Sequence, residues 1–462
     1  MEDLLEKLVD QGLSLGADFI DLRLEKAIGT SIKIVDSKLK VGATFDNKGI
    51  AIRAFYDGAW GFVSSSVIKF EKLKEYVKDA VKMAKGISQH SKIKFKLNEQ
   101  NGIKKKFPLK VKIRISDIDI SEKIEFLEKI DKQARSYDNR IVNTNSVYSD
   151  SESYRMICNS FGSLIEAHES YVYCVSLNFS KENNVRQRGF KSVGKTLGYE
   201  TIQTDEAQNL GIGSAKEAIE LLKAKPAKGG TFTVLLDPKL AGVFIHESFG
   251  HAAEADAVIA GQSILENKIG EKIATDLLNV VDDPTLFGMF GSYQVDDECF
   301  KAKRTLLIEN GILKNYLHNL ETSSRLNMSG NNGRAEGFHY FPIVRMSNTH
   351  ILPGNWKLEE MLEDIKTGIY AQGWIRGYTD PSTGAFMFKC ARANIIQNGE
   401  IGELLRDAAI SGDTLTTLQM IDAVGNDLDL SPGHCGKGGQ LIPVTDGGPH
   451  IRVKNLVIGG LE

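Results

Sequence analysis

Two histidines and a glutamate in the middle of the chain have the residue types of a catalytic metal site. The segment FIHESFGHAAEAD contains His246, Glu247 and His251 in an HExxxH arrangement. Two neutral imidazole nitrogens can hold a zinc ion, and an adjacent carboxylate can take a proton from the water that the metal acidifies. These three residues are therefore candidates for a hydrolytic metal centre.

The spacing of the two histidines differs from that of the common zinc-peptidase motif. HExxH places its histidines four residues apart on one helical face, whereas His246 and His251 are five residues apart. Five steps of an α-helix separate two side chains by roughly 140°, which is too far for both to bind one ion. A π-bulge would return them to one face, and Gly250 lowers the cost of that distortion. The alternative is two unrelated histidines on a regular helix, one buried and one exposed.

A site with two histidines needs a third ligand, and cysteine suits zinc well. Four of the five cysteines lie in apolar or strand-like segments and are expected to pack in the interior: Cys158, Cys174, Cys299 and Cys390. Cys435 lies instead in the glycine-rich segment GHCGKGGQ, which predicts a loop. Elimination makes Cys435 the leading third ligand, with His434 and His450 as alternatives.

Other polar residues close to these segments have two interpretations each. Glu254 and Asp256 either orient a ligand histidine or lie on the helix surface. Arg334 and Arg345 either clamp a substrate carboxylate or tie loops together.

A second group of polar residues lies in turns and short segments farther along the chain. The acidic triplet Asp296, Asp297 and Glu298 is expected to be a solvated turn rather than a cation site. Three residues are candidates for stabilising an oxyanion: His318, His339 and Tyr340. Two more are expected to brace the Cys435 loop: Asn426 and Asp427.

The elements that must position these residues form two parts. Helical periodicity before residue 226 covers residues 2–15, 71–85, 123–135 and 214–225, and strand patterns cover residues 30–66, 92–115 and 141–180. A polar break with proline and glycine at residues 224–230 predicts a domain boundary. We expect an α+β protein with an N-terminal α/β domain at 1–225.

The second part, residues 226–462, is predicted to be an antiparallel β-rich domain that encloses a distorted HExxxH helix. A strand pattern precedes a helix at about residues 240–257. Asn-Gly pairs at residues 310–311 and 398–399 stand between apolar runs, which indicates two tight β-hairpins.

The composition is that of an ordinary globular protein. The chain of 462 residues has 57 Lys and Arg against 60 Asp and Glu, a net charge of -3, which argues against nucleic-acid binding by bulk charge. It has no apolar stretch of the roughly 20 residues that a membrane helix needs, and its acidic, amphipathic N-terminus is unlike a signal peptide. We expect a cytoplasmic protein that binds neither nucleic acid nor membrane.

Seven segments of the C-terminal half resemble sequence segments of one known family, and they occur in the same order. They are HESFGHAAEAD at 246–256, VDDE at 295–298, LIENGIL at 307–313, GNNGR at 330–334, RMSNTHILPG at 345–354, VGNDL at 424–428 and HCGKGGQLIPV at 434–444. On these segments the chain resembles the TldD branch of the TldD/PmbA family of metallopeptidases, from about residue 229 to the C-terminus. The TldE (PmbA) partner chains of that family lack the metal ligands, which this sequence keeps.

The resemblance implies one Zn²⁺ per chain, held by His246, His251 and Cys435, with Glu247 as the general base. It also implies a homodimer, or a heterodimer with a TldE/PmbA-like paralogue, that processes unfolded or extended peptides. The sequence hypothesis is thus a zinc-dependent peptidase. The alternative is a non-catalytic protein that binds peptides or partners and has a structural metal site.

Overall fold

The computed structural model describes residues 1–460, and its N-terminal half contains one large sheet. The strands of this sheet are β1 (Phe19–Val35), β2 (Lys38–Tyr56), β3 (Ala59–Ser65), β4 (Lys104–Phe107), β5 (Ile141–Asn159), β6 (Leu164–Glu182) and β7 (Val185–Lys195). Their order is β3-β2-β1-β5-β6-β4, with β7 also paired to β6. All pairs are antiparallel except β4 with β6.

Helices cover one face of this sheet. They are α1 (Glu2–Ser14), α2 (Phe70–Ser88), α3 (Ile120–Tyr137), α4 (Asp205–Gln208) and α5 (Leu210–Leu222), with 3₁₀ turns at Ile115–Asp117 and Tyr199–Gln203. Side chains alternate between the two faces of a strand. Even-numbered residues such as Leu22 and Ile32 of β1 pack in the cores under the helices. Odd-numbered residues such as Arg23 and Glu25 therefore face the C-terminal half.

The predicted helices at 2–15, 71–85, 123–135 and 214–225 are confirmed, but the strand prediction for residues 92–115 is wrong over most of its length. Only β4 forms there, and the chain before it is irregular. Phe95 packs its ring 5.1 Å from that of Phe55, and the backbone of Asn98 donates to the hydroxyl of Ser324 at 2.9 Å. The alternating apolar residues thus dock a connecting segment onto both halves instead of forming a sheet face.

The C-terminal half contains a closed eight-stranded sheet. Its strands are β8 (Lys225–Pro226), β9 (Gly230–Leu236), β16 (Thr367–Thr379), β17 (Ala385–Gln397), β18 (Glu400–Arg406), β19 (Ala409–Asp413), β20 (Ile421–Val424) and β23 (Ile451–Gly459). The sheet closes because β16 pairs with both β9 and β17.

A six-stranded sheet lies beside the closed sheet. The remaining strands of this half are β10 (Val280–Asp282), β11 (Thr305–Glu309), β12 (Ile312–Leu313), β13 (Gly333–Arg334), β14 (Ile343–Val344), β15 (Asn348–Ile351), β21 (Asp429–Lys437) and β22 (Gln440–Gly448). The order of the six-stranded sheet is β12-β11-β10-β15-β22-β21, and β13 pairs with β14. The helices are α6 (Pro238–Phe244), a π-helix (Ile245–Gly250), α7 (Ala255–Ile259), α8 (Leu320–Leu326), α9 (Leu358–Leu362) and α10 (Thr414–Gln419). One large apolar core joins the two sheets with α6, the π-helix, α7 and α10.

Both predicted Asn-Gly hairpins are present. Asn310 and Gly311 connect β11 to β12, and Asn398 and Gly399 connect β17 to β18. All four residues have positive φ, the conformation that two-residue hairpin turns require.

The expected solvated turn at Asp296, Asp297 and Glu298 is a wrong prediction, because all three residues are buried. Asp297 accepts from Arg155 of β5, and Glu298 accepts from Arg53 of β2 at 2.7 Å. The arginines lie on the odd-numbered face of the N-terminal sheet. This acidic turn therefore joins the two halves of the chain through buried ion pairs.

The α+β fold class is confirmed, and the domain division at residues 225 and 226 stays a prediction. None of the helices formed by residues 1–460 is long and apolar enough to cross a membrane.

Candidate metal centre

The HExxxH segment changes helix type at the first histidine. Asp237 caps α6 by accepting from the backbone of Leu240 at 2.8 Å, and Pro238 opens the helix. From Ile245 the backbone is π-helical, and the N–H of His251 donates to the carbonyl of His246 at 3.2 Å, five residues back. The predicted π-bulge is therefore confirmed. It places the two imidazole rings 5.4 Å apart.

Close packing holds this helix against its neighbours. A Cβ on Gly242 would overlap the backbone of Gly447 in β22, and a Cβ on Gly250 would overlap the sulfur of Met346. Glycine at these positions lets the helix approach the six-stranded sheet closely enough for its histidines to reach β21.

Cys435 lies on β21, so the predicted loop is wrong. It pairs with Ile442 of β22, and the hairpin turns at Gly438 and Gly439, both with positive φ. Glycines at 433 and 436 and the absence of large aliphatic or aromatic residues around Cys435, apart from His434, conceal the strand pattern in the sequence.

The structure brings His246, His251 and Cys435 together. Their ligand atoms all lie within 4.8 Å of one another, and Sγ of Cys435 lies 3.6 Å from Nε2 of His251. Glu247 is adjacent, with its Oε2 3.9 Å from the same nitrogen and its side chain 33% exposed. The three donor atoms thus converge on one point, beside an accessible carboxylate.

The charges of the three donors are coupled. Burial alone would raise the pKa of the Cys435 thiol, but hydrogen bonding and charge from His246 and His251 lower it to about 5. Burial alone would lower the pKa of both histidines, but Cys435 and neighbouring carboxylates raise them instead. The site therefore favours a thiolate, which is the form of cysteine that binds a metal.

Glu254 orients His251. Nδ1 of His251 donates to Oε2 of the buried Glu254 at 2.9 Å, which leaves Nε2 free to face Cys435. Lys437 contacts the same carboxylate oxygen at 3.1 Å and Asp256 at 2.7 Å. Of the two acids considered from the sequence, Glu254 thus orients the candidate ligand His251, whereas Asp256 contacts only Lys437 among these residues.

The two arginines tie backbone segments together. Arg345 is fully buried and donates to the carbonyls of Cys435 and Gln440. Arg334 donates to the carbonyls of Met346 at 2.7 Å and Pro443 at 2.9 Å. Arg345 thereby fixes the strand that carries the cysteine.

The alternative third ligands lie elsewhere. His450 contacts Asp427 and lies 2.8 Å from the hydroxyl of Tyr370. The expectation that Asp427 braces the Cys435 segment is therefore wrong, and the backbone of Asn426 donates to Trp356 instead. His434 packs its ring edge-on against those of Tyr173 and Phe290.

The three oxyanion candidates are also dispersed. His318 is buried, with Nδ1 3.2 Å from the hydroxyl of Thr322. The carbonyl of Tyr340 accepts from Arg23 at 2.9 Å, and His339 lies in a cleft on the far side of the β21–β22 hairpin.

Sequence reasoning missed Asp446. Alternation along β22 places Asp446 on the same face as Ile442, the partner of Cys435. Its Oδ1 has no hydrogen-bond partner in residues 1–460, and burial raises the pKa of this carboxyl to about 6, with the charge of His246 the largest opposing influence. The available signal was an acid at the apolar phase of a strand, Ile442-x-Val444-x-Asp446.

A π-helical HExxxH segment with a cysteine on an adjacent strand brings together three side chains that could hold one metal ion. The sequence matches three domains described as PmbA/TldA metallopeptidase domain 1 at residues 20–84, the central domain at 113–225 and the C-terminal domain at 229–460. The chain belongs to the PmbA/TldD family of metallopeptidases.

Individual relatives agree with this assignment. A metalloprotease of Methanocaldococcus jannaschii is 41% identical, over 97% of each chain. A zinc metalloprotease TldD homolog of Saccharolobus solfataricus is 31% identical, over 98% of this chain and 99% of that protein. The crystal structure of TldE from Thermococcus kodakarensis has the same fold, with a TM-score of 0.80 at 20% identity, over 99% of this chain and all of that one.

Proposed function

We propose that this chain is a zinc-dependent peptidase that hydrolyses peptide bonds in unfolded or extended peptides. The observation that carries the proposal is the convergence of His246, His251 and Cys435 within 4.8 Å, with Glu247 beside them. Two imidazoles and a thiolate suit zinc, and three protein ligands leave a fourth position for water or substrate.

When bound, zinc would supply Lewis acidity toward a water molecule and the substrate carbonyl. Glu247 accepts the proton of the attacking water on its carboxylate and delivers it to the leaving amine. Glu254 holds His251 in the orientation that points Nε2 toward Cys435, where both side chains would hold zinc. The negative charge of the Cys435 thiolate would reduce the Lewis acidity of a bound zinc ion, so we expect modest turnover.

An edge strand supports the choice of extended peptides. Within residues 1–460, β21 lies at the end of the six-stranded sheet and carries Cys435. A peptide that pairs with this edge gains backbone hydrogen bonds without demands on its sequence.

Replacing Glu247 by glutamine tests the proposed chemistry. We expect zinc content of about one per chain to persist in Glu247→Gln while kcat falls at least about 100-fold, the usual contribution of a general base. Glu271→Gln is the matched control, because Glu271 pairs only with surface lysine Lys268 in the described structure. If the zinc-loaded wild type cleaves no peptide, the alternative of a non-catalytic peptide-binding protein with a structural metal is favoured.

Elemental analysis tests the ligand set. Folded His246→Ala, His251→Ala and Cys435→Ala variants should each lose the zinc. Zinc retained in Cys435→Ala would remove the cysteine from the ligand set.

The proposal extends to assembly and location. We infer a dimer, either of this chain alone or with a TldE/PmbA-like partner, which light scattering of the purified chain with and without such a partner would detect. A cytoplasmic location is consistent with five cysteines that all remain free thiols.

A further inference from the structure

A cleft of about 480 Å³ lies between the N-terminal sheet and the β21–β22 hairpin. One wall consists of odd-numbered residues of β1, β5 and β6, and the other includes His434 and Pro443 of the hairpin. We call this space the central cleft and define it by Glu25, Arg155, Glu169, Tyr171, Phe290 and His434.

The central cleft is distinct from the metal centre. His434 and Cys435 are consecutive residues of β21, so their side chains point to opposite faces of the hairpin. Cys435 contacts His251 on one face, whereas His434 contacts Tyr173 and Phe290 on the other. The hairpin therefore forms a shared wall between the two sites.

Most charged groups of the cleft already have partners. Glu169 accepts from Arg155 at 2.6 Å and from the hydroxyl of Tyr171 at 3.1 Å. Arg155 also binds Asp297. The positive charge of this arginine is thus neutralised by two carboxylates, and it does not remain available for a ligand.

The other charged groups of the lining are satisfied by different partners. Asp150 is paired with Lys123 at 2.6 Å, and Arg334 donates to backbone carbonyls. Asp296 accepts from three backbone N–H groups, and Glu336 accepts from the backbone of Leu441 at 2.7 Å.

Glu25 is the exception. In the part of the chain that the structure describes, its carboxylate makes no side-chain hydrogen bond or ion pair, although it lies opposite Arg155 in the β1–β5 register. Burial raises the pKa of Glu25. Arg23 and Arg155 oppose this effect, but both arginines already contact Asp297, and Arg155 also contacts Glu169. Three carboxylates therefore face two guanidinium groups, and among the described residues Glu25 is the carboxylate without a direct partner.

Aromatic rings supply the remaining surface. The rings of Tyr173 and Phe290 stack with centroids 5.2 Å apart, and Tyr171 meets Phe290 edge-on at 6.0 Å. The strand registers align Tyr171 with Gly29 and Tyr173 with Ser31, so these rings lie farther along the same cleft than Glu25. A cleft with a carboxylate at one position and aromatic rings farther along is complementary to a peptide that carries a cation next to apolar groups, because the rings pack against methylene groups.

We propose that the central cleft binds an ammonium group of a peptide, with Glu25 as its counter-ion and with Tyr171, Tyr173 and Phe290, farther along the cleft, as an apolar wall for the neighbouring part of the peptide. The ammonium group belongs either to a lysine side chain or to the peptide N-terminus. The inference deepens the proposed function and rests on it for the peptide nature of the ligand, whereas binding itself requires no cleavage.

Calorimetric titration of the full-length, zinc-loaded Glu247→Gln chain tests the proposal. The probes are acetyl-Ala-Ala-Lys-Ala-Ala-amide, its norleucine counterpart, and the norleucine peptide with a free N-terminus. We expect one ammonium peptide to bind about tenfold more tightly than the acetylated norleucine peptide, as a desolvated charge pair provides. Preference for the lysine peptide identifies a side chain, and preference for the free N-terminus identifies the α-ammonium.

The additional substitution Glu25→Gln should reduce this preference to within twofold, whereas Glu336→Gln at the rim should leave it intact. Equal binding of all three probes, or full preference in Glu25→Gln, would overturn the proposal. If Glu25→Gln does not fold, carbodiimide cross-linking to the Glu247→Gln chain tests the proposal instead. The cross-linked probes are the lysine peptide and the norleucine peptide with a free N-terminus. A cross-link mapped to Glu25 supports the proposal, and cross-links only to other carboxylates overturn it.

Discussion

Replacing Glu254 by glutamine should weaken zinc binding ten- to hundredfold. Glu254 is 1% exposed and accepts from Nδ1 of His251 at 2.9 Å. Glutamine preserves the shape of the side chain but removes the charge, and a charge-assisted hydrogen bond is roughly twice as strong as a neutral one. Loss of such a partner to a ligand histidine typically reduces metal affinity 10- to 100-fold, about 1.4–2.7 kcal/mol.

Competition against a chromophoric chelator at fixed pH measures the dissociation constant of zinc for each variant. Asp256→Asn is the matched control, because Asp256 contacts the same lysine, Lys437, at 2.7 Å but no ligand histidine. Its zinc affinity should stay within about threefold of wild type. An unchanged affinity in Glu254→Gln would refute the role of Glu254, and equal losses in both variants would assign the effect to Lys437.

Three further predictions concern packing, buried charge and pH. Gly242→Ala should reduce the free energy of unfolding by about 1–3 kcal/mol and weaken zinc binding, because the new Cβ overlaps the backbone of Gly447. A free energy of unfolding in urea equal to that of the wild type would contradict this. Arg53→Met should lower the free energy of unfolding by about 3–5 kcal/mol in the same assay, because it leaves the buried Glu298 without its counter-charge. A decrease of less than about 1 kcal/mol would argue against a stabilising ion pair. His318 is 1% exposed and burial lowers its pKa to about 4, so the unfolded chain takes up the proton at higher pH than the folded chain. The stability that neutral His318 contributes above pH 6.5 is lost as the pH falls toward 4, about 3 kcal/mol in total. The free energies of unfolding of wild type and His318→Gln, plotted against pH, should therefore converge or cross over this range. A difference between the two free energies that does not change with pH would contradict the prediction.

Local backbone geometry explains why the candidate metal ligands could be predicted. The five-residue spacing of His246 and His251 is incompatible with one face of an α-helix, so bringing both side chains together required the π-helix that the structure contains. The Asn-Gly hairpins follow from equally local rules, since their turns need positive φ at both positions.

Long-range contacts explain what the sequence could not indicate. Cys435 lies on a strand because β22 pairs with it and Arg345 binds its carbonyl, and neither partner is visible in the local glycine pattern. The burial of Asp297 depends on arginines more than a hundred residues earlier in the chain. A local rule for acidic turns therefore assigned it to solvent.

The unpaired acids had no sequence signal of their own. Glu25 and Asp446 differ from dozens of surface carboxylates only in what surrounds them, which is decided by the packing of the sheets. Their absence from the predicted site follows from that dependence on tertiary structure.

At the acidic turn, carboxylates of the C-terminal half neutralise arginines of the N-terminal half, and each half supplies counter-charges to the other. A fragment that begins at residue 226 would retain Asp297 and Glu298 but lose Arg53 and Arg155, and the complementary fragment would expose those arginines without their carboxylates. The break at residues 224–230 is visible in the composition. It does not make the two halves electrostatically independent, because the buried ion pairs cross it. Exchange of halves between relatives would preserve the native charge balance only when the turn and its arginines are inherited together.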